Sequence, residues 1–440
     1  MLDYWNSELR APDFSVAGAE MYAFAAEIYP ICRCITGDGV RSTLDLIRKR
    51  IDLSVCEVPT GAQVLDWTIP KEWNIRGAHI KNSDGETIVD FANSNLHVML
   101  HSVPVRARMP LAELRKHIFS LPDQPDLIPY RTSYWAPAWG FCLPHRQLVS
   151  LPDGEYDVLI DSSLTDGSLT YGEYLHRGAS EDEFLLTAHI CHPSLANDNC
   201  SGLALLTTLA RHLAGMRTRL SYRFLFAPGT IGAISWLARN ETNVSRIKQG
   251  LVVAGVGDAG SLTYKRSRRG DSAVDSAMAH VLAHGFGGSK VIDFEPYGYD
   301  ERQFCSPGFD LPVALLQRSY FGTFPQYHTS ADNLDFIAPQ HLAGSLEAIW
   351  RVIEIAETNF TPLNLSPKGE PELERYSLSE SLGDDKGAAK RAMAYLWVLN
   401  LADGSRSLFD IAERAGLAYN IAFDAARALM RAGLLTSVRA

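Results

Sequence analysis

Three short apolar runs, EFLLTAHI (183–190), SYRFLFAPG (221–229) and GLVVAGVG (250–257), are continuous rather than alternating. A strand that is apolar at every position has to be covered on both faces, as in the middle of a parallel sheet. Between these runs, SGLALLTTLARHLAGM (201–216) and GAISWLARN (232–240) carry helical spacing and suit covering helices. Strands alternating with helices predict a mostly parallel α/β sheet. In such sheets the chemistry collects just past the carboxyl ends of the strands.

The rest of the chain divides around this core. Residues 17–50 read as helices, with AGAEMYAFAAEIYPI and GVRSTLDLIRKRI separated by a Gly-Asp-Gly break. Between about 60 and 155 polar and apolar residues alternate, and NSDGE (82–86) suits a hairpin turn, so a small β-rich module is expected there. It ends near YWAPAWGFCLPHRQLVSL (134–151), rich in aromatics and prolines, and the α/β part is expected over 156–365. NFTPLNLSPKGEPELE (359–374) reads as a Pro-containing linker, and 387–440 as a helical module like a winged helix or helix-turn-helix. Arg414, Arg427 and Arg431 alternate there with Glu413 and Asp424, which is thin for phosphate contacts. A structural or assembly role is the expectation for this module.

The stretch AHICHPSLANDNCSG (188–202) holds the first chemistry. His189 closes an apolar strand, and Asp198 stands just before a helix. Imidazole and carboxylate at the ends of adjacent elements make a pair of zinc ligands; a buried polar histidine and a helix cap are the plainer reading. Two further strand ends tilt the balance towards metal: Asp258 follows GLVVAGVG, and His328 lies in FPQYHTSADNLDFI. All four residues close apolar segments of one inferred sheet.

The order His, Asp in ANDNCSG, Asp after a strand, then YHTSADN resembles the zinc-dependent aminopeptidases of the bacterial leucyl aminopeptidase type. The segment YGYDERQFCSPGFDLPV (297–313) is similar to that family's SDHxxFxxxGIP segment, with Glu301 where histidine is usual. The whole layout looks like the bacterial proteins that combine an aminopeptidase-like domain, an inserted β module and a C-terminal winged helix, often associated with polysaccharide or specialised-metabolite biosynthesis. The resemblance implies a three-layer zinc-exopeptidase-like fold, of the phosphorylase/hydrolase kind. It also implies zinc on His189, Asp198, Asp258 and His328, one ion or two, with His192 as an unusual further ligand. The expected activity is hydrolysis of an amide, as aminopeptidase or deacylase.

One departure stands out. Where the family carries a Glu-Glu pair, the first being the general base, this chain has Gly229 and Thr230 in PGTIGAISW. Neither can take a proton from an activated water. A replacement base is expected from Glu301, Asp300 or His192, in that order, with Tyr327 or Arg302 steadying the oxyanion. KRSRR (265–269), through Lys265, Arg268 and Arg269, could hold a carboxylate or phosphate of the substrate. The lost carboxylates equally feed two rival readings: a silent ligand-binding or assembly protein on a hydrolase fold, and a metabolite-sensing winged-helix regulator. GVGDAG (255–260) fits a dinucleotide fingerprint, but SLTYKRSRRGD follows it in place of an apolar helix.

The net charge of −10 argues against nucleic acid as a partner. The N-terminus does not read as a signal peptide, and no apolar run is long enough to span a membrane. Seven cysteines without a paired framework favour reduced thiols and a cytoplasmic location. A small-molecule or peptide substrate and self-association into a homo-oligomer complete the expectations.

Overall fold

The computed structural model describes residues 9–378 and 386–438. They fall into two compact units, one comprising residues 9–275 and 290–347, the other 276–289 and the described residues from 348 to 438.

The first unit is built on an eight-stranded sheet. Its strands are β1 (Ser54–Pro59), β2 (Ser168–His176), β3 (Glu183–His189), β4 (Ser221–Ala227), β5 (Ile247–Val253), β6 (Thr263–Lys265), β7 (Lys290–Ile292) and β8 (Val313–Gln317). Their order across the sheet is β1-β2-β4-β3-β5-β8-β6-β7. The four central strands β4, β3, β5 and β8 run parallel, as the continuous apolar runs predict. Antiparallel neighbours flank them, β2 on one side and β6 on the other. All seven residues of β3 are buried, which is why its sequence shows no alternation. The registry His189↔Ala227 sets the end of β3 beside the end of β4, and so beside Gly229. Helix Gly202–Leu213 buries Leu203, Leu205, Leu206 and Leu209, and helix Ile231–Asn240 buries Ile234, Trp236 and Leu237.

The β-rich segment forms a four-stranded antiparallel sheet in the order Thr87–Asp90, Glu72–Lys81, Glu155–Thr165, Val105–Pro110. Ala78, Ile80, Val89, Val98, Phe141, Val158 and Ile160 make its separate core. The strand Glu155–Thr165, at the expected start of the α/β part, pairs in this sheet, so the main sheet resumes only at β2. 

In the second unit, helices Lys386–Leu401, Leu408–Ala415 and Tyr419–Arg431 accompany a two-stranded wing, Pro362–Asn364 against Leu435–Ser437. Part of the segment read as a linker is therefore one strand of the wing. Ser407 and Asp410 form a reciprocal capping box at the start of one helix, and Gly416 (φ 63°) ends it in the left-handed conformation that glycine adopts without cost. No helix among the described residues is long and apolar enough to cross a membrane. All seven cysteines are unpaired thiols.

Candidate metal centre

His189 is the last residue of β3, and a distorted helical turn over Ala196–Ser201 carries Asp198 back to it. His189 Nε2 lies 2.8 Å from Asp198 Oδ1, both side chains being 2% exposed. Neither atom has a hydrogen-bond partner other than the atom it faces across that contact. His328 Nε2 is 3.1 Å, and His192 Nε2 3.8 Å, from the other oxygen, Asp198 Oδ2. Ligand atoms of His189, His192 and Asp198 all lie within 4.8 Å of one another. Burial alone would raise the Asp198 carboxyl, but His192, His189 and His328 around it hold it well below the usual carboxylate range. Burial drives the His192 imidazole well down, against the pull of Asp198. A carboxylate and imidazoles converging on one point, with buried atoms that have no partner outside the group, is a donor set that fits zinc. Asn199 Nδ2 approaches His189 Nδ1 at 3.4 Å, too far to fix the ring's tautomer.

Asp332 positions the turn. Its Oδ1 accepts from the Asn197 N–H at 2.6 Å and its Oδ2 from the Asp198 N–H at 3.0 Å. Burial raises its pKa to about 8.

Asp258, expected as a further ligand, is not in the close group of His189, His192 and Asp198. Four residues separate it from the end of β5, and they carry it to the loop after β8. There its Oδ1 accepts from the Ser319 hydroxyl (2.7 Å) and the Gly260 N–H (2.6 Å), while its Oδ2 accepts from Asn197 Nδ2 (2.9 Å). Its carboxylate thus orders loops behind the centre.

The expected base also changes. Glu301 is fully buried, with Oε1 2.5 Å from Lys265 Nζ, itself fully buried. Lys265 Nζ further donates to the Tyr297 carbonyl at 2.7 Å. This locked pair removes Glu301 as a free base and Lys265 as a substrate ligand. Arg268 and Arg269 are spent on Asp310: Arg268 Nη1 reaches Oδ1 at 2.8 Å and Arg269 Nε reaches Oδ2 at 3.3 Å. Arg302 lies with its guanidinium 5.7 Å from the Tyr297 ring centre, and its Nε is buried without a partner.

Asp300, the second choice, sits differently. Its side chain is 1% exposed and neither carboxylate oxygen has a hydrogen-bond partner. A Cβ placed on Gly229 would lie 3.3 Å from His189 Cβ and 3.4 Å from Asp300 Oδ1, so this carboxylate stands over the bare glycine beside the first histidine. Burial raises its pKa to about 7; His189 opposes the rise and Glu301 adds to it.

Aromatic rings frame the histidines. Tyr327 stacks on His328 at 3.9 Å between centres, and Tyr299 stacks on His189 at 5.0 Å. The Tyr299 and Tyr327 side chains are hydrogen-bonded to each other, and burial keeps both phenols protonated. Cys191 is a packed thiol, pushed up to about 12 by burial. Sequence reasoning missed Tyr130, whose ring lies 5.0 Å from that of His192 and 4.9 Å from that of His328. It comes from the β-rich segment, and the only signal was the aromatic density of that stretch. Asp332 was quoted within YHTSADN without being given a role.

Residues 22–359 match the family described as a domain of unknown function, DUF4910, and residues 360–437 match a winged helix-turn-helix family. A Clostridium acetobutylicum protein, provisionally named a polysaccharide biosynthesis protein with aminopeptidase-like domain, is 50% identical over 424 residues, spanning 96% of this chain and 98% of its own. A crystal structure of a chain from Clostridium acetobutylicum, provisionally named a peptidase, superposes with a TM-score of 0.92 at 49% identity, covering 97% of this chain and 98% of that one. The zinc aminopeptidase of Bacillus subtilis superposes with a TM-score of 0.57 at 14% identity over 78% of this chain and 94% of its own, a likeness of fold. The central parallel strands and the site at their carboxyl ends thus have an aminopeptidase-like fold, and the chain belongs to the DUF4910 family, carrying a winged helix at its C-terminus.

Proposed function

We propose that the protein is a zinc-dependent hydrolase that cleaves an amide bond, with His189, His192, Asp198 and His328 holding the metal and Asp300 carrying the proton. The observation that carries this reading is the buried contact of His189 Nε2 with Asp198 Oδ1, two atoms with no partner but each other, and two further imidazoles at the second oxygen of the same carboxylate. When bound, zinc supplies a Lewis acid for a carbonyl and brings a water's pKa to about 7.

The chain's own residues do the rest. Asp332 fixes the Asp198 turn through two backbone N–H groups, so the carboxylate is presented without adjustment. Asp300, with a pKa of about 7, can accept and return a proton near neutrality, as a general base and acid must. Gly229 leaves the space in which that carboxylate stands. The protonated Tyr327 phenol is a donor for an oxygen that gains negative charge. The name of the Clostridium relative points to an amide on a saccharide, an N-acyl sugar, as the substrate class.

Elemental analysis combined with a screen of N-acylated sugars and aminoacyl anilides tests this. Metal should be present in the protein, lost in Asp198→Ala and kept in Asp300→Asn, which should be inactive. A rival reading, a ligand-binding protein on a hydrolase fold, draws on the locking of Asp258 by Ser319 and of Glu301 by Lys265. Identical metal content before and after chelation would favour it.

A further inference from the structure

The β-rich segment brings a line of aromatic side chains to the site that the metal centre itself does not use. It begins at Tyr130, 8% exposed, whose ring touches His192 and His328. The Tyr130 hydroxyl is 2.9 Å from that of Tyr134. The Tyr134 ring meets Trp135 edge-on at 6.5 Å between centres, and Trp135 meets Trp67 at 5.0 Å. Trp135 is 55% exposed and Trp67 40%. Neither indole N–H has a hydrogen-bond partner among the described residues.

The mounting is rigid. Residues 128–133 are tied to the His328 loop on one side, through Tyr130 N–H to the His328 carbonyl (2.8 Å) and Ser330 N–H to the Ile128 carbonyl (2.8 Å). On the other side Leu100 N–H donates to the Arg131 carbonyl and Ser133 N–H to the Leu100 carbonyl. Trp67 stands on a short hairpin, Gln63–Val64 against Trp67–Thr68, where Gln63, Asp66 and Thr68 are exposed around it. Two large rings left in water beside a candidate centre, on fixed backbone, mark a binding surface rather than an incidental exposure.

We propose that Tyr130, Tyr134, Trp135 and Trp67 form a saccharide-binding subsite that leads from the metal centre to solvent and holds the sugar of an N-acylated substrate. A pyranose ring has an apolar C–H face and a rim of hydroxyl and N-acyl groups. The subsite has the matching pair: aromatic faces, and donors in the two indole N–H groups, the two phenols being paired with each other. An aromatic peptide side chain would cover the rings but leave the indole N–H groups without partners, at a cost for each one buried. The inference rests on the hydrolase reading for the reacting end only; the subsite needs no metal to bind.

That separation sets the experiment. The full-length protein, stripped of metal with a chelator, is titrated with triacetylchitotriose by isothermal calorimetry. Saturable binding is expected, weakened about tenfold or more in Trp135→Ala and in Trp67→Ala, with Trp135→Phe falling between. Both positions are on the surface, and unchanged thermal melting would show that the variants fold. On zinc-loaded protein, Trp135→Ala should raise KM for an N-acetylated saccharide with little change in kcat. Absence of saturable binding would overturn the proposal. So would tryptophan variants that bind as the parent does, or a phenylalanyl dipeptide amide that binds in a tryptophan-dependent way where the saccharide does not. Sugar binding without hydrolysis of any N-acyl sugar would sink the hydrolase reading and leave the subsite standing.

Discussion

A Cβ on Gly229 would lie 3.3 Å from His189 Cβ and 3.4 Å from Asp300 Oδ1, so the Asp300 carboxylate stands directly over the bare glycine beside the first histidine. Asp300→Asn keeps the shape and removes the proton acceptor, so kcat should fall by about 10²–10⁴, the usual contribution of a positioned base, while zinc content stays the same. Parallel loss of metal would make Asp300 a ligand instead. Its neighbour Glu301 is a structural group by contrast, because its charge is neutralised in place by Lys265. Breaking a buried ion pair from one side leaves an uncompensated charge and costs about 3–5 kcal/mol. Glu301→Gln and Lys265→Met should each destabilise on that scale, and the double variant by clearly less than their sum. Urea denaturation of the four proteins closes the cycle; additive losses would show that the pair is not coupled.

At the scale of elements, what could be read from sequence depended on how far apart the partners lie. The central strands were legible because burial on both faces leaves a continuous apolar run, and every residue of β3 and nearly every one of β5 is buried. His189 and Asp198 were legible for the same reason, one ending such a run and the other opening the next helix. Position after a strand places Asp258 in a loop without fixing its direction, and the hydrogen bonds it accepts from Ser319, Gly260 and Asn197 were not legible in the sequence. Tyr130 meets His328 across 198 residues of sequence. No local period encodes a contact of that span. The wing strand Pro362–Asn364 was hidden likewise, since its partner Leu435–Ser437 lies at the far end of the module. The capping box in that module was written locally, in Ser407 and Asp410. Ser407→Ala should cost about 1 kcal/mol of stability, read as a lower melting temperature of the winged-helix transition. Metal content should not change.

Over the whole molecule the buried titratable groups fall into two sets with opposite signs. Burial lowers the pKa of His97, His101 and His176 below the ordinary 6.5. An unfolded chain therefore takes up protons that the folded one refuses, and their stabilising contribution is complete above 6.5 and lost as the pH falls from there. Burial raises Asp300 from 3.8 to about 7 and Asp332 from 3.8 to about 8. Here the folded chain keeps protons that the unfolded one has released. That contribution is complete below 3.8 and is lost as the pH rises through the folded values. By about pH 7.5, a unit above their ordinary value, the histidines are neutral in both states, so above it the buried raised acids, Asp332 among them, set the slope. Stability of the metal-free protein should therefore fall as the pH rises from about 7.5 through 8. Zinc would add its own dependence, because its ligands must be deprotonated, so the urea midpoint is measured with chelator present. Asp332→Asn should flatten the decline, since the amide has no proton to lose and can still accept from the Asn197 N–H through its oxygen. A midpoint that rises from about pH 7.5 through 8, or one that Asp332→Asn leaves equally steep, would mean that these carboxyls are already ionised in the fold.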